Sequence, residues 1–571
     1  MIFARYIPAL AWIKHYNRGQ FSQDATAALI VTMLLIPQSL AYAMLAGVPP
    51  EVGLYSSILP LVLYALFGTS TSLSVGPVAV ASLMTATSLA TIAEQGTASY
   101  LTGAITLAFL SGTMLVVMGV LKLGMITNLL SHSVISGFIS ASGIIIALSQ
   151  LKHIFGIEAH GDNVVTQLLS MMSNIGQFKP MTFIIGFSVV AFLLLARRYA
   201  KPFFIMLKVP EKSAAALAKT APIIGVLSSL ALVYAYDLQS HGVAITGHIP
   251  AGLPSLSFTL PPLELIRDLA LPALVISIIG YVESISVGKT LGAKRREKVK
   301  PNQELIGLGA ANIASGVSGG FPVTGGFSRS VVNFDAGAVT QLAGIMTAIG
   351  IMIASLLLTP MLYFLPKATL AATIIVAVTT LIDFSILKKT WRFSRSDFYA
   401  VFATIVITLL LGVEVGVASG VGLSIALHLY RTSKPHVAEV GLIKDTEHFR
   451  NVKRYQVQTS PNLLCLRPDE SLFFANATFL EEHILETINQ RPEIAHVVIQ
   501  CSAVNEIDFS ALEMLETLNS QLESMNIKLH FSEVKGPVMD HLECSGFLKH
   551  LSGNIYMSQF RAFKEITEGK A

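Results

Sequence analysis

Apolar segments long enough to span a lipid bilayer follow one another along most of this chain. About fourteen can be counted, at residues 24–45, 52–68, 77–93, 100–121, 126–150, 181–197, 218–236, 264–288, 302–319, 327–338, 340–358, 362–381, 398–413 and 415–430. A helix needs about 20 apolar residues to cross the hydrocarbon core. Only 13% of the residues are charged, against roughly 25% in soluble domains. The chain is therefore predicted to be a polytopic α-helical membrane protein with a transmembrane domain over residues 21–434.

The positive charges predict the orientation of these segments. Lys and Arg cluster in four short loops, each of which follows an even-numbered segment: 197–201, 294–298, 388–395 and 431–434. The loop after the seventh segment, LQSHGVAITGHIPAGLPSLSFTL, contains neither residue type. Because cytoplasmic loops are enriched in Lys and Arg, both termini are expected in the cytoplasm and the protein in the inner (plasma) membrane. Residues 1–20 are predicted to form a cytoplasmic amphipathic segment rather than a signal peptide.

The pattern changes at residue 435, where the segments become more polar. Strand-like runs such as NLLCLRP (462–468) and HVVIQCS (496–502) alternate with helix-like runs such as ATFLEEHILETINQ (477–490). This alternation predicts a small cytoplasmic α/β domain over residues 435–571. The three cysteines of the chain all lie in this part without metal-ligand spacing, so neither a metal nor another cofactor is expected. No basic patch interleaved with aromatic residues supports binding to nucleic acid.

Two of the predicted membrane segments, the third and the tenth, are short and begin with proline and glycine. They read LSVGPVAVASLM (73–84) and FPVTGGFSRSVV (321–332), and they occupy matching positions in the two halves of the chain. Short, interrupted segments in matching positions are typical of the binding site of a transporter. A helix that begins inside the membrane exposes unpaired N–H groups and the positive end of its dipole, so two such ends facing each other would bind an anion.

Arg329 lies in the first turn of the second of these half-helices. An arginine inside the membrane is costly and usually faces a cavity or a charged partner. We expect Arg329 to add a full positive charge to the anion site. The alternative is an arginine at the membrane interface, whose side chain reaches the lipid headgroups.

The first segment carries polar residues in apolar surroundings. Pro37 is expected to break or kink this helix beside Gln38 and Tyr42. These two residues are four apart, so both face the same way on a helix. In a cavity they would donate hydrogen bonds to an anion. The alternative is that they bond a neighbouring helix.

The eighth segment contains one acidic residue, Glu283, which follows about ten apolar residues. A carboxylate inside the membrane can take up a proton and carry it across. Coupling of anion uptake to protons is therefore one hypothesis for Glu283. The alternative is a salt bridge to Arg329 or Lys289 that only holds helices together, and the two roles are compatible.

Four stretches resemble the signature motifs of the SulP family of anion transporters: IPQSLAYAMLAGVPPEVGLYSS (36–57), SVGPVAVASLM (74–84), ESISVGKTLG (283–292) and GGFPVTGGFSRSVVN (319–333). The resemblance covers the whole chain, and the motifs stand in the order expected of the family. It implies the fold of the uracil permeases, in which two inverted repeats of seven segments are divided into a core domain and a gate domain. It also implies a homodimer.

The same resemblance implies an anion site between the third and tenth segments, lined also by the first. Its residues in this chain would be Gln38, Tyr42, Val78, Ala79, Gly326, Phe327, Ser328 and Arg329. Some relatives have a serine in place of Gly326 and an aromatic residue in place of Val78, so the site here is expected to be roomier and less polar. Glu283 matches the acidic position that is linked to proton coupling in several members of the family.

The C-terminal part resembles a STAS domain, the cytoplasmic module that these carriers share with anti-sigma-factor antagonists. The signature of that domain reads NEIDFSALEML here (505–515), with Ala511 where a glycine is usual. Asp508 and Ser510 are therefore candidate regulatory residues. In the antagonists the serine is phosphorylated, and a phosphate would be favoured near a helix N-terminus. The alternative is that Ser510 simply caps the helix.

These residues together predict a secondary active transporter rather than an enzyme. The expected substrate is an inorganic oxyanion, sulfate first, taken up with protons as the core domain moves against the gate domain in an elevator-like cycle. The alternatives are a carrier of bicarbonate or of a C4-dicarboxylate such as succinate or fumarate. An uncoupled anion channel or exchanger of the same fold would use the same site without protons.

Overall fold

A helix occupies each of the fourteen predicted membrane segments in the computed structural model of the chain. The structure describes residues 7–14, 16–90, 92–129, 132–159, 161, 163–218, 220–250, 252–254, 256 and 261–569. The chain divides into two units, Met1–Ser424 and Ile425–Ala571. Within the described residues, six helical stretches are long and apolar enough to cross a membrane by length and composition. The predicted polytopic helical fold is confirmed.

The chain before the α/β domain is built almost entirely of helices. In chain order they are α1 (Ala9–Ile13), α2 (Arg18–Leu45), α3 (Pro50–Tyr55), α4 (Leu59–Phe67), α5 (Ala79–Ala90), α6 (Ala98–Val120), α7 (Ile126–Leu129), α8 (His132–Phe155), α9 (Val164–Ser173), α10 (Pro180–Met206), α11 (Glu211–Ala218), α12 (Ala221–Ala235), α13 (Leu263–Arg295), α14 (Pro301–Val317), α15 (Phe327–Asp335), α16 (Leu342–Leu357), α17 (Lys367–Val378), α18 (Ser385–Phe393), α19 (Arg395–Leu411) and α20 (Val413–Ser433). Helices α9, α11 and α18 lie between the predicted segments and are too short to span a bilayer. Of the predicted amphipathic segment 1–20, residues 1–6 and 15 lie outside the described residues, and α1 lies in the remainder.

The third and tenth segments are short because each begins with an extended strand instead of a helix. Strand β1 (Val75–Gly76) precedes α5, and strand β2 (Thr324–Gly325) precedes α15. Proline in these stretches removes a backbone donor and disfavours helix for the residue before it, so the helix starts late. The two strands pair antiparallel over both of their residues. Both short helices therefore begin at the same place, although they come from different halves of the chain.

The first segment is not broken at Pro37. Helix α2 runs without interruption from Arg18 to Leu45. A proline inside a membrane helix is tolerated where neighbouring helices and polar groups satisfy the freed backbone carbonyl. The expected break is therefore absent, and Gln38 and Tyr42 lie on one continuous helix.

Helices α6 and α14 approach each other closely at two glycines. A Cβ atom on Gly112 would stand 2.6 Å from the backbone nitrogen of Ile313, and one on Gly309 would stand 2.7 Å from the Gly112 carbonyl oxygen. Small residues allow this close backbone packing between membrane helices. The position of α14 is thereby fixed, and α14 carries two polar residues that hold the strands and loops of the functional site.

The second unit contains the small α/β domain that the C-terminal sequence predicts. Its sheet has the strand order β4-β3-β5-β6-β7-β8, in which β5 to β8 are parallel and β3 is antiparallel to both of its neighbours. The strands and helices are β3 (Val437–Leu442), β4 (Phe449–Asn451), β5 (Leu463–Pro468), α21 (Ala477–Gln490), β6 (His496–Gln500), α22 (Phe509–Ser524), β7 (Lys528–Ser532), α23 (Gly536–Ser545), β8 (Ile555–Tyr556) and α24 (Gln559–Thr567). Buried residues of β5, β6 and β7 pack with those of α21 and α22 in one apolar core.

A pair of histidines joins two central strands of this sheet. His530 on β7 is fully buried, and its Nε2 atom lies 3.0 Å from Nδ1 of His496 on β6. The Nδ1 atom of His530 accepts a hydrogen bond from the Asn554 N–H at 2.9 Å. Burial, followed by the charges of His496 and Lys528, lowers the pKa of His530 to about 4. Folding therefore holds this imidazole in its neutral form.

We expect the stability of the second unit to fall as the pH drops from about 6.5 to about 4. The unfolded chain binds a proton on His530 below the ordinary pKa of 6.5, whereas the folded chain resists it until about pH 4. The free energy of unfolding is therefore highest above pH 6.5, and it falls on acidification by up to about 3 kcal/mol. Thermal melting of residues 435–571 at a series of pH values measures it.

The matched variants for this measurement are His530→Gln and His550→Gln. The first should reduce the pH dependence between 6.5 and 4, because it removes one of the two paired histidines whose pKa the fold lowers. The second should leave it unchanged, because His550 is exposed. An undiminished pH dependence in His530→Gln would show that another group is responsible.

Candidate functional site

The paired strands β1 and β2, called the crossed strands below, bring together the N-termini of the two short helices that follow them. Beside the β1–β2 pairing, the Gly326 N–H donates to the Ser74 carbonyl oxygen at 3.2 Å. Gly326 is the N-cap residue of α15, and no side chain caps this helix. The first N–H groups of α15 therefore have no partner within the helix. Two positive dipole ends meet at this place, as the broken segments predict.

Arg329 is buried at this junction, with only 2% of its surface exposed. Its Nη2 atom donates to the Thr324 carbonyl oxygen at 3.2 Å. The Nε and Nη1 atoms have no hydrogen-bond partner among the residues that the structure describes. A buried guanidinium with unused donors is costly unless an anion or water satisfies it. The alternative of an arginine that reaches the lipid headgroups does not fit this degree of burial.

Two glycines leave room for the guanidinium to lie across the crossed strands. A Cβ atom on Gly76 would stand 2.8 Å from Nη1 of Arg329, and one on Gly326 would stand 2.8 Å from Nε. The same Cβ on Gly326 would stand 3.1 Å from Cγ1 of Val78. The expectation of a roomier site at Gly326 is therefore wrong, because the arginine side chain fills the space that a serine would occupy.

The other predicted residues of the two half-helices differ in exposure. Val78 and Ala79 are buried at the start of α5, where the Val78 carbonyl oxygen accepts from the Ser82 N–H at 2.9 Å. Phe327 and Ser328 are exposed in the first turn of α15, Phe327 to 47%. The first turn of α15 thus directs its charged residue inward and leaves the two preceding side chains on an accessible face.

Helix α2 brings two neutral hydrogen-bonding groups to the same region. Tyr42 is 8% exposed and lies close enough to Arg329 and Glu283 to interact with both electrostatically. Gln38, one turn earlier on α2, is half-buried. Neither side chain makes a hydrogen bond to any other described residue. Both groups are therefore free to bind a ligand, and no hydrogen bond supports their alternative role in joining α2 to a neighbouring helix.

Glu283 on α13 lines a largely apolar cavity of about 40 Å³, together with residues such as Val80, Phe138 and Ile279. The other residues that line this cavity are apolar. The carboxylate interacts electrostatically with Arg329, but it forms no hydrogen bond or ion pair within the part of the chain that the structure describes. The alternative salt bridge to Arg329 or Lys289 is therefore not formed in this conformation.

Two polar side chains outside the predicted site hold β2 and the residue before it. The Ser284 hydroxyl oxygen accepts from the Gly325 N–H at 2.8 Å. The Asn312 side chain accepts from the Val323 N–H at 2.9 Å and donates to the Val323 carbonyl oxygen at 2.8 Å. The role of Asn312 could have been inferred from the sequence, because it is an asparagine within the apolar ninth segment. A polar side chain inside the membrane usually bonds another helix or a free backbone group.

The predicted regulatory residues of the second unit lie at the start of α22. Asp508 is the N-cap residue, and its carboxylate accepts from the Ala511 N–H at 2.8 Å and from the Phe474 N–H at 2.9 Å. Ser510 lies two residues further along and is exposed. The interpretation of Ser510 as the cap is therefore wrong, because the carboxylate of Asp508 already takes the N–H group that a cap would bind.

Comparison with known proteins places the chain in a family. The model of the sulfate permease family matches residues 21–404, and the model of the STAS domain matches residues 454–560. The chain is 34% identical to the chloroplastic sulfate transporter 4.1 of Arabidopsis thaliana, over 95% of this chain and 79% of that protein. It is 32% identical to a probable sulfate transporter of Mycobacterium tuberculosis, over 98% of this chain and 97% of that protein.

Solved structures share the fold. The murine Solute Carrier 26 family member A9 anion transporter in the inward-facing state superposes with a TM-score of 0.90 at 23% identity, covering 100% of this chain and 95% of that one. The transmembrane domain of the cyanobacterial bicarbonate transporter BicA superposes with a TM-score of 0.60 at 22% identity, covering 71% of this chain and 99% of that one. The chain therefore belongs to the sulfate permease family and carries a STAS domain after its membrane-spanning part.

Proposed function

We propose that the protein is a secondary active transporter that takes up sulfate together with protons. The observation that supports this most directly is the buried guanidinium of Arg329, whose Nε and Nη1 atoms lack a partner among the described residues. An oxyanion at the junction would satisfy these donors and the free N–H groups of the helix together. Two relatives named as sulfate transporters match at least 95% of the chain, which favours sulfate as the anion.

The proposed binding residues divide by role. Arg329 supplies the charge and a planar set of donors. Gln38 and Tyr42 supply neutral donors from α2. The backbone at Val78 and Ala79 and at Gly326, Phe327 and Ser328 supplies the two helix N-termini. Because Phe327 and Ser328 are exposed, we propose that the anion enters past them.

Glu283 is the proposed proton carrier. A sulfate dianion beside Arg329 leaves one negative charge in excess, and an ionised Glu283 nearby would add a second. Protonation of Glu283 removes that repulsion, so proton and anion binding favour each other. The supporting observation is a carboxylate that lines a cavity and forms no hydrogen bond or ion pair within the described residues.

We also propose how the site reaches both sides of the membrane. A core domain that contains both half-helices would move against a gate domain in an elevator-like cycle of alternating access and would carry the site with it. The transport domain would cover residues 21–434, and the linker with the STAS domain would cover residues 435–571. The protein would be a homodimer in the inner membrane, with both termini on the cytoplasmic side. The Lys and Arg bias of the short loops supports this orientation.

Uptake of labelled sulfate into proteoliposomes tests the proposal. We expect uptake that requires an inward proton gradient and is inhibited more strongly by unlabelled sulfate than by bicarbonate, succinate or chloride. Stronger competition by bicarbonate or succinate would identify a different substrate. Macroscopic anion currents without any dependence on the proton gradient would indicate the uncoupled channel instead.

A further inference from the structure

Two carboxylates outside the proposed site are buried in the first unit and saturated with hydrogen bonds. Glu304, near the start of α14, is 1% exposed, and Asp24, in the second turn of α2, is 0% exposed. Each accepts four hydrogen bonds from other residues. A buried polar group is tolerated when it is hydrogen-bonded in this way.

Glu304 holds the loop that leads into β1. One carboxylate oxygen accepts from the N–H groups of Thr69 and Ser70 at 2.7 and 3.1 Å, and from the Thr69 hydroxyl at 2.5 Å. The other oxygen accepts from the Tyr64 hydroxyl at 2.7 Å. The loop continues directly into β1, whose Gly76 lies against the guanidinium of Arg329. Glu304 therefore sets the position of one wall of the site through the backbone.

Asp24 holds the loop that follows α15. Its carboxylate accepts from the N–H groups of Val339 and Thr340 at 2.6 and 3.1 Å, and from the Thr340 hydroxyl at 2.6 Å. It also accepts from the Tyr16 hydroxyl at 3.2 Å. The helix that carries Arg329 is thus fixed at its C-terminal end as well as at the strand crossing.

The two loops are also bonded to each other. The side-chain amide of Gln341 donates to the Ser70 carbonyl oxygen. On α15, the Ser330 hydroxyl oxygen accepts from the Ser74 N–H at 3.0 Å. The two carboxylates, the two loops and the crossed strands therefore form one hydrogen-bonded scaffold on which the guanidinium lies.

We propose that Glu304 and Asp24 are positioning residues, which hold the crossed strands in the arrangement that presents the free donors of Arg329 to an anion. They act through the loop backbones, and they neither contact the anion nor carry a proton. This inference rests on the proposed anion site. It also separates the two residues from Glu283, which forms no hydrogen bond to a described residue and lines a cavity.

Two substitutions of Glu304 test this role in the full-length protein. In Glu304→Gln, Oε1 can still accept from Thr69 and Ser70, and Nε2 can donate to the Tyr64 hydroxyl oxygen. We expect this variant to keep the wild-type KM for the transported anion and the wild-type pH profile of uptake. In Glu304→Ala the loop is released, and we expect the KM to rise about tenfold to a hundredfold, as when a binding group is misplaced by about 1 Å.

The matched control is Glu264→Ala, which removes an exposed carboxylate from the same unit and should change neither KM nor pH profile. If Glu304→Ala does not fold, Tyr64→Phe and Thr69→Val each remove one donor and should raise the KM about threefold to fivefold. Wild-type KM in all of these variants would overturn the proposal. Uptake that no longer depends on pH in Glu304→Gln would also overturn the proposal, because it would identify Glu304 as the proton carrier.

Amide hydrogen exchange gives a second readout that does not depend on transport. Residues 69–76 and 324–326 should exchange faster in Glu304→Ala than in the wild type, and at the wild-type rate in Glu304→Gln. Unchanged exchange in the alanine variant would overturn the positioning role. If the wild type itself takes up none of the four anions, the proposed function fails, while the exchange experiment still decides whether Glu304 holds the crossed strands.

Discussion

Arg329→Ala is expected to cause the largest loss of anion affinity of any variant of the proposed site. The guanidinium is the charged group of the proposed site, and it is buried with its Nε and Nη1 donors free of any described partner. Removing one member of a buried charge pair typically costs about 2 to 5 kcal/mol, which corresponds to a loss of affinity of roughly thirtyfold to several thousandfold. The measurement is the anion concentration dependence of uptake in proteoliposomes that contain equal amounts of folded protein.

Two milder variants should lose less anion affinity than Arg329→Ala. Arg329→Lys keeps the charge but replaces the planar set of donors with a single ammonium group, so we expect an intermediate loss of affinity. Gly76→Ala keeps Arg329 in the sequence, but the Cβ atom of the new alanine would stand 2.8 Å from Nη1 and would displace the guanidinium. It should also weaken anion binding, without the full loss of Arg329→Ala. An unchanged affinity in Arg329→Ala would remove the residue from the binding site.

Glu283→Gln is expected to uncouple anion uptake from the proton gradient. The glutamine side chain mimics a carboxyl group that stays protonated, so the anion should still bind while no proton is carried. In the wild type, each pH unit across the membrane can supply about 1.4 kcal/mol per proton, equivalent to about tenfold accumulation of the anion. In the variant, uptake measured with and without an inward gradient should be equal.

The matched control for this variant is Glu264→Gln, which changes a carboxylate on the same helix at an exposed position. It should retain the full response to the gradient. If Glu283→Gln also retains that response, another group carries the proton. If Glu283→Gln loses anion binding altogether, Glu283 contributes to the anion site itself and proton coupling must be sought elsewhere.

Much of the fold could be predicted from the sequence, because few kinds of structure can span a bilayer. The hydrocarbon core fixes the length of a spanning helix, so fourteen apolar segments predict fourteen helical regions. The two half-helices could be predicted because proline and glycine at matching positions prevent a helix from starting earlier. Arg329 could be identified as a candidate site residue because a charged side chain within an apolar membrane segment is costly and is usually functional.

The contacts of the site could not be predicted from local patterns. Glu304 bonds Thr69, and Ser330 bonds Ser74, across more than 230 residues of sequence, and no periodicity encodes such pairs. The orientation of Arg329 depends on the absence of a side chain at Gly76, which becomes relevant only once the two strands cross. Pro37 shows the opposite case, because the helix continues through a strong local signal for a break.

The pairing of β1 with β2 has a consequence for how the protein is made. The partner of the Ser74 N–H is a hydroxyl 256 residues further along the chain, so β1 has no partner while the first half is being synthesised. Lipid cannot satisfy its backbone groups in the meantime. The first half-helix must therefore remain beside water or the insertion machinery, and the proposed anion site is assembled only after more than half of the polypeptide has been translated. A chain that stops before β2 would contain the first half-helix but neither the strand that pairs with β1 nor Arg329.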